Sequence, residues 1–138
     1  MRRRYPRAVK ATWEAFEAAL QPVLSDLDRA YPGVFRVERQ DDGSDLQAIL
    51  WEQDGSGSGV FMGDGCWPEV VAVVEIADKV QEFAIEAVWT LTGRGSWPTC
   101  LEHPDGRPLA AGVHESRASW FCPTDGRVIA PIGALSAS

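Results

Sequence analysis

The sequence predicts an α+β fold, with two helices packed on a three-stranded antiparallel sheet and a small β unit at the C-terminus. Two long segments repeat apolar residues every three or four positions, and short alternating segments lie between them. After residue 95 this helical period disappears, and aromatic residues alternate with turns rich in Pro and Gly. Since 138 residues is the usual size of one domain, we expect residues 1–138 to form a single domain, with a core at 7–95 and a C-terminal β unit at 96–135.

The first long segment predicts a helix from about Arg7 to Ala30. Pro22 lies inside it, and a proline within a helix removes a backbone hydrogen bond and clashes with the preceding turn, so we expect a kink or a restart there. The apolar residues recur at steps of three and four, which places them on one helical face. They are Val9, Trp13, Phe16, Leu20, Val23 and Leu27.

Three short strands are expected between the helices. Alternation predicts strands at Val34–Arg39 and Leu46–Glu52, and a third, shorter strand at Val60–Met62. The segment Asp54–Gly59 is rich in Gly and Ser, which is typical of a flexible hairpin loop. A phosphate-binding loop would have to open a helix, and this one joins two strands, so we interpret it as a connection only.

The second long segment, Pro68–Leu91, predicts a largely buried helix that ends at Gly93. Its polar residues form one narrow stripe: Glu75, Asp78, Lys79, Glu82 and Glu86. An alternative remains open, in which Val70–Ile76 is a buried strand and a shorter helix begins at Asp78. The side chains expected in the core are Trp13, Phe35, Leu50, Val74, Phe83, Trp89 and Trp120.

The C-terminal unit contains the motif whose side chains are best suited to bind a metal ion. Strands are expected near Leu109–Val113, Arg117–Phe121 and Val128–Pro131. Cys100 and His103 form a C-x2-H pair, and eighteen residues later Cys122 and Asp125 form a C-x2-D pair. Zinc ribbons use two such turns, because a two-residue spacer aims two donors at one ion and a hairpin brings the turns together. The candidate metal ligands are therefore Cys100, His103, Cys122 and Asp125, with His114 as another possible fourth ligand.

Two other interpretations of this motif stay open. The unit could be a degenerate zinc ribbon without metal, in which both cysteines pack as small apolar side chains. His103 and His114 could also act as general bases. Outside the motif, Cys66 could be a nucleophile at a helix start, although a buried, inert cysteine is far commoner.

Three segments of the chain carry a family resemblance: VEIADKVQEFAIEAVW, WPTCLEHPDGRPL and ASWFCPTDGRVIAPIGAL. They follow the pattern VADQVQ…W, WPxCPxHPxxHPL and AxWxCPxxGxxVxxIGxL, and so resemble a family of small proteins from high-GC bacteria over about residues 75–135. The resemblance implies no particular activity, but it places Cys100, His103 and Cys122 at motif positions. This chain has Leu101 where the family has Pro, and Arg107 where the family has a second His.

Composition limits the classes of partner. The net charge of −7 argues against general binding to nucleic acid or anionic membranes, which need basic surface. We interpret the basic N-terminal residues, Arg2, Arg3, Arg4, Arg7 and Lys10, as a solvated start rather than a binding arm. No apolar stretch typical of a signal peptide or a membrane span follows them, and the three cysteines fit a reducing compartment, so we expect a cytoplasmic protein.

The sequence therefore favours a non-enzymatic module that binds a protein partner or a second copy of itself. A zinc-stabilised binding domain is the alternative. An enzyme that depends on a cysteine or a metal is the least favoured class, because no catalytic constellation stands out.

Overall fold

The computed structural model describes residues 8–10, 12–40, 47–61, 66–93, 97–103 and 106–135. These residues form two helices, two three-stranded antiparallel sheets and a two-stranded antiparallel ladder, which confirms the α+β class. Arg2, Arg3, Arg4 and Arg7 of the basic N-terminal cluster lie outside the described residues, as does the predicted strand end at Met62. None of the described helices combines the length and the apolar character needed to cross a bilayer.

The first helix, α1, spans Trp13–Ala30 and begins later than the sequence predicts. Thr12 is its N-cap, and its Oγ1 accepts a hydrogen bond from the Ala15 N–H at 3.1 Å. The preceding residues Ala8–Lys10 form a strand, β1, which was wrongly included in the helix because Val9 continues the apolar spacing. β1 pairs instead with β5, which spans Cys66–Pro68.

Pro22 lies inside α1, and the helix continues through it without the predicted restart. The C-terminal segment packs against this proline at Gly133, where an added Cβ would lie 2.9 Å from the Pro22 Cβ. Gly133 also has a φ of +105°, a backbone conformation that other residues rarely adopt. Glycine is therefore required at position 133, where the C-terminal segment packs against α1.

The second helix, α2, spans Glu69–Thr92 as one element, so the alternative with a strand at 70–76 is wrong. It ends where predicted: Gly93 adopts a left-handed conformation, and its N–H donates to the Trp89 carbonyl at 2.8 Å. The helix packs against α1 and against strands of both three-stranded sheets. This position explains why most of its circumference is apolar.

The burial of α2 confirms part of the predicted core and corrects one residue of it. Four acidic residues of the predicted polar stripe are exposed, namely Glu75, Asp78, Glu82 and Glu86. Trp89 is 61% exposed, contrary to expectation. It follows Glu82 and Glu86 at steps of four and three, so it lies on the polar stripe itself. Of the other expected core residues, Leu50, Phe83 and Trp120 are buried, while Trp13, Phe35 and Val74 are half-buried.

The N-terminal sheet contains β2 (Arg36–Gln40), β3 (Gln47–Trp51) and β4 (Gly57–Phe61) in that order. β4 begins three residues earlier than predicted, inside the supposed Gly-rich loop. An added Cβ at Gly57 would lie 2.7 Å from the Trp51 ring, and one at Gly59 would overlap the Gln47 side chain. The glycines therefore let side chains of β3 lie across β4, and they belong to the sheet rather than to a loop.

The C-terminal sheet contains β6 (Ala110–His114), β7 (Arg117–Phe121) and β8 (Val128–Pro131), close to the predicted strands. Trp120 is fully buried and meets Trp97 edge to face at 5.5 Å between ring centroids. Residues of this unit belong to the same buried cluster as residues of both helices and of β3 and β4.

A buried carboxylate joins the C-terminal segment to α1. Asp26 is 1% exposed, and its Oδ2 accepts hydrogen bonds from Trp120 Nε1 at 2.8 Å and from the Gly133 N–H at 2.7 Å. Its Oδ1 accepts from the Leu135 N–H and from Arg29 Nη1, both at 3.0 Å. Four donors thus satisfy one buried charge, which offsets the cost of removing it from water.

Candidate metal centre

Two tight turns at one end of the C-terminal sheet carry the candidate ligands. In the first turn, the His103 N–H donates to the Cys100 carbonyl at 3.0 Å. In the second, which directly follows β7, the Gly126 N–H donates to the Cys122 carbonyl at 2.7 Å, and Gly126 has a φ of +75°. The first turn therefore brings the side chains of Cys100 and His103 together, and the second directs backbone N–H groups at the Cys122 sulfur.

Three of the four predicted ligands converge. The Sγ atoms of Cys100 and Cys122 lie 3.5 and 3.3 Å from the same atom, His103 Nδ1. All three donor atoms lie within 4.8 Å of one another. Both cysteines are buried and have free thiols, and His103 is half-buried. The group formed by Cys100, His103 and Cys122 could hold a metal ion.

The second turn favours a thiolate at Cys122. Burial by itself raises the pKa of this thiol, because a charge in a dry site is poorly solvated. Hydrogen bonds from the backbone N–H groups of Asp125 and Thr124, together with those to the side chains of Cys100 and His103, outweigh that effect and lower the pKa below its usual value. A metal binds the thiolate form of cysteine, so the turn prepares a ligand.

Asp125 occupies the last position of the second turn, but it is not one of the three convergent donors. Its Oδ1 accepts a hydrogen bond from the Arg127 N–H at 2.9 Å, and this bond is the main cause of a lowered pKa. The Cys122 side chain, the positive charge of Arg127 and the neighbouring His103 ring lower this pKa further. Asp125 is thus an ionised, exposed carboxylate beside the site.

His114 is not placed to serve as a ligand. It ends β6 and pairs with Arg117, at the opposite end of the hairpin from Cys122. Cys122 lies five positions along the extended chain from Arg117, which corresponds to about 17 Å. The same separation excludes a joint role for His103 and His114 as general bases acting on one group.

A contact between the two turns was not foreseen from the sequence. Arg127 of the second turn forms an ion pair with Glu102 of the first, and both side chains are about half exposed. Only the fold brings them together, although each lies within two positions of a predicted ligand. Arg107, which stands where the resembling family has a second His, is exposed. The Cys66 side chain lies outside the described residues, so its role as a nucleophile stays a prediction.

Comparison with models of protein families found no match, and searches of curated proteins and of solved structures found no similar protein. The resemblance to small proteins of high-GC bacteria therefore stays a prediction.

Proposed function

We propose that the protein is a zinc-binding domain in which one ion joins the two turns of the C-terminal unit. The observation that supports this most is the approach of both sulfurs to a single ring nitrogen, His103 Nδ1. A neutral ring nitrogen either donates one proton or accepts with one lone pair. A single two-centre hydrogen bond would therefore explain one of the two contacts, whereas an ion between the three atoms explains both.

The distances fit zinc. With Zn–S bonds of about 2.3 Å and a Zn–N bond of about 2.0–2.1 Å, tetrahedral angles place sulfur and nitrogen about 3.6 Å apart. The two observed distances, 3.5 and 3.3 Å, need only a small expansion to accept the ion. Among the common divalent ions in proteins, zinc is also the one that is typically bound by thiolate and imidazole ligands.

We propose Asp125 as the fourth ligand, through its Oδ2 atom. In a turn with the spacing C-x2-C, the residue at this position supplies the second thiolate. Asp125 stands there with Oδ1 held by the Arg127 N–H, which leaves the other carboxylate oxygen for the ion. A hydrogen bond of this kind orients a ligating carboxylate.

The role we propose for the ion is structural. Both sulfurs are buried, with Cys100 2% and Cys122 0% exposed, and they belong to the same cluster as the helices. An ion at this point would fix the turn at Cys100 against the end of β7, and its binding free energy would add to the stability of the fold. The zinc-stabilised domain would then serve the protein-binding role that the sequence favours.

Cobalt substitution tests the coordination proposed here. Co²⁺ added to metal-free protein should produce the visible bands of a tetrahedral ion and a thiolate-to-cobalt charge-transfer band in the near ultraviolet. Cys122→Ser should lose about half of the charge-transfer intensity, while Cys66→Ser, the matched control, should keep all of it. Weak visible bands typical of six oxygen ligands, with no charge-transfer band, would contradict the proposal.

A further inference from the structure

The N-terminal sheet has two edge strands, and they differ in how well they are protected. β2 is exposed at all five positions, and three of them carry charge: Arg36, Glu38 and Arg39. β4 has the sequence GSGVF, with neither charge nor proline, and its register with β3 is regular. Charged residues, prolines and bulges are what usually prevent an edge strand from pairing with another chain. β4 has none of these features.

The unpaired main-chain groups of β4 can be assigned. The Glu52 N–H donates to the Ser56 carbonyl at 2.8 Å, so this pair at the end of the hairpin is hydrogen-bonded. Hydrogen-bonded and non-hydrogen-bonded pairs alternate along an antiparallel ladder. In the register of β3 and β4, the residues Gly57, Gly59 and Phe61 therefore belong to non-hydrogen-bonded pairs. Their N–H and C=O groups point away from β3.

Helix α2 faces this edge across a groove. Lys79 crosses the groove at one end, where its Nζ donates to the Phe61 carbonyl at 2.9 Å, as expected for an outward carbonyl. The groove is lined by Gly57–Phe61 on one side and by Lys79–Glu86 on the other, each about 10–13 Å long. That length matches about four residues of extended chain. The described part of the protein places no strand beside β4 at this edge.

The groove is acidic. Glu52, Glu82 and Glu86 line it, and Lys79 is the one cation among its described lining residues. Burial, with the nearby negative charges of Asp54 and Glu86, raises the pKa of Glu52. These carboxylates would be stabilised by a cation. A second copy of the same groove would bring like charges together instead, which disfavours a symmetric dimer at this edge.

We propose that the groove between β4 and α2 binds a basic, extended segment of a partner protein as a fourth strand of the sheet. Its main chain pairs with the outward groups of Gly57 and Gly59 and with the Phe61 N–H, which is the β-strand addition used by several peptide-binding domains. Its Lys or Arg side chains on the helix side meet Glu82 and Glu86. The groove shares no lining residue with the metal site, so this proposal does not depend on whether zinc is bound.

A peptide titration tests the charge preference. The probe is a fluorescein-labelled, blocked octapeptide of alternating Lys and Val, measured by fluorescence anisotropy at low salt, with alternating Glu and Val as the comparison. We expect the basic peptide to bind, and added salt to weaken it. The double variant Glu82→Gln/Glu86→Gln should weaken binding about three- to tenfold. The control Glu75→Gln/Asp78→Asn changes two exposed acidic residues of α2 outside the groove and should stay within about twofold.

A second pair of variants tests main-chain pairing. Phe61 is half exposed, and its N–H points outward, where an edge strand tolerates proline. Phe61→Pro removes this N–H, whereas Phe61→Ala removes only the ring, so the proline variant should bind about three- to tenfold more weakly than the alanine variant. Bound peptide should also slow hydrogen exchange of the Gly59 and Phe61 amides.

Several results would overturn the proposal. They are absence of binding, equal binding of the acidic peptide, or equal affinities of the Phe61→Pro and Phe61→Ala variants. A dimer that forms with rising concentration and disappears in Phe61→Pro, with no effect from Glu82→Gln/Glu86→Gln, would assign the edge to a second copy and also overturn it.

Discussion

Replacing Asp26 by Asn tests the buried contact that joins the C-terminal segment to α1. The change keeps the size of the side chain but turns one carboxylate oxygen into an NH₂ group. Each oxygen of Asp26 accepts two hydrogen bonds, so the new NH₂ group faces two donors whichever oxygen it replaces. Replacing Oδ1 costs less, because Arg29 is 43% exposed and also donates to the Leu135 carbonyl, so that the Leu135 N–H alone loses its acceptor. At about 1–3 kcal/mol for an unsatisfied buried donor, we expect a loss of about 1–3 kcal/mol in the free energy of unfolding.

Urea unfolding monitored by tryptophan fluorescence measures this loss. With a slope of about 1–3 kcal/mol per molar urea, a loss near the middle of that range lowers the midpoint by about 1 M. Asp28→Asn is the matched control, because Asp28 is exposed two residues away and accepts one N–H, from Gly33 at 3.1 Å, which an amide can also accept. A midpoint for Asp26→Asn within about 0.3 M of the control would refute the account of this contact.

Three further predictions concern the metal site and the core. Asp125→Cys should raise zinc affinity at least tenfold in a competition assay with a chromogenic chelator, because a thiolate replaces a carboxylate. Asp125→Ala should lower the affinity. Equal zinc affinities of the wild type and both variants would show that Asp125 is not a ligand. EDTA should lower the melting temperature of the protein and make Cys100 and Cys122 reactive with a thiol reagent, since metal removal frees both sulfurs. An unchanged melting temperature and unchanged thiol reactivity would contradict a bound ion. Phe83→Ala should lower the free energy of unfolding by about 3–5 kcal/mol, because this ring is buried and meets another aromatic ring at 5.5 Å. Phe61→Ala, at a half-exposed ring, should lower it by under about 1 kcal/mol. Similar losses for both variants, measured by urea unfolding, would show that burial does not distinguish the two sites.

The helices were the most predictable part of the fold, and their errors have a physical cause. Hydrophobic periodicity predicted α2 along its whole length, because one face of it is polar throughout. It misplaced Trp89, since a large apolar residue was assumed to be buried although the spacing put it beside Glu86 on the exposed stripe. Periodicity also carried α1 too far towards the N-terminus, because Val9 fits the helical spacing but pairs with β5.

The sheets depended on contacts that a local pattern does not contain. Gly57 and Gly59 are typical of a loop by composition, yet they form a strand because side chains of β3 need the space above them. Asp26 was not singled out at all, since its partners Trp120, Gly133 and Leu135 are about a hundred positions away. A buried carboxylate is recognised only once its donors are in place.

The candidate metal site was the most local functional signal. The spacing C-x2-H and C-x2-D predicted two turns, and the strands between them bring Cys100, His103 and Cys122 together. The spacing could not exclude His114, because the length of the hairpin decides which end it occupies. It also gave no sign of the ion pair between Glu102 and Arg127, which depends on how the two turns face each other.

The metal content of the purified protein shows whether a zinc ion is bound at the two turns. The protein would be purified without a nickel column and analysed by inorganic mass spectrometry, together with Cys100→Ala, Cys122→Ala and the control Cys66→Ala. We expect about one zinc per chain in the wild type and the control, and well under half that amount in the other two variants. Wild-type protein without zinc that also takes up none on dialysis against zinc, or equal zinc in all four proteins, would contradict it.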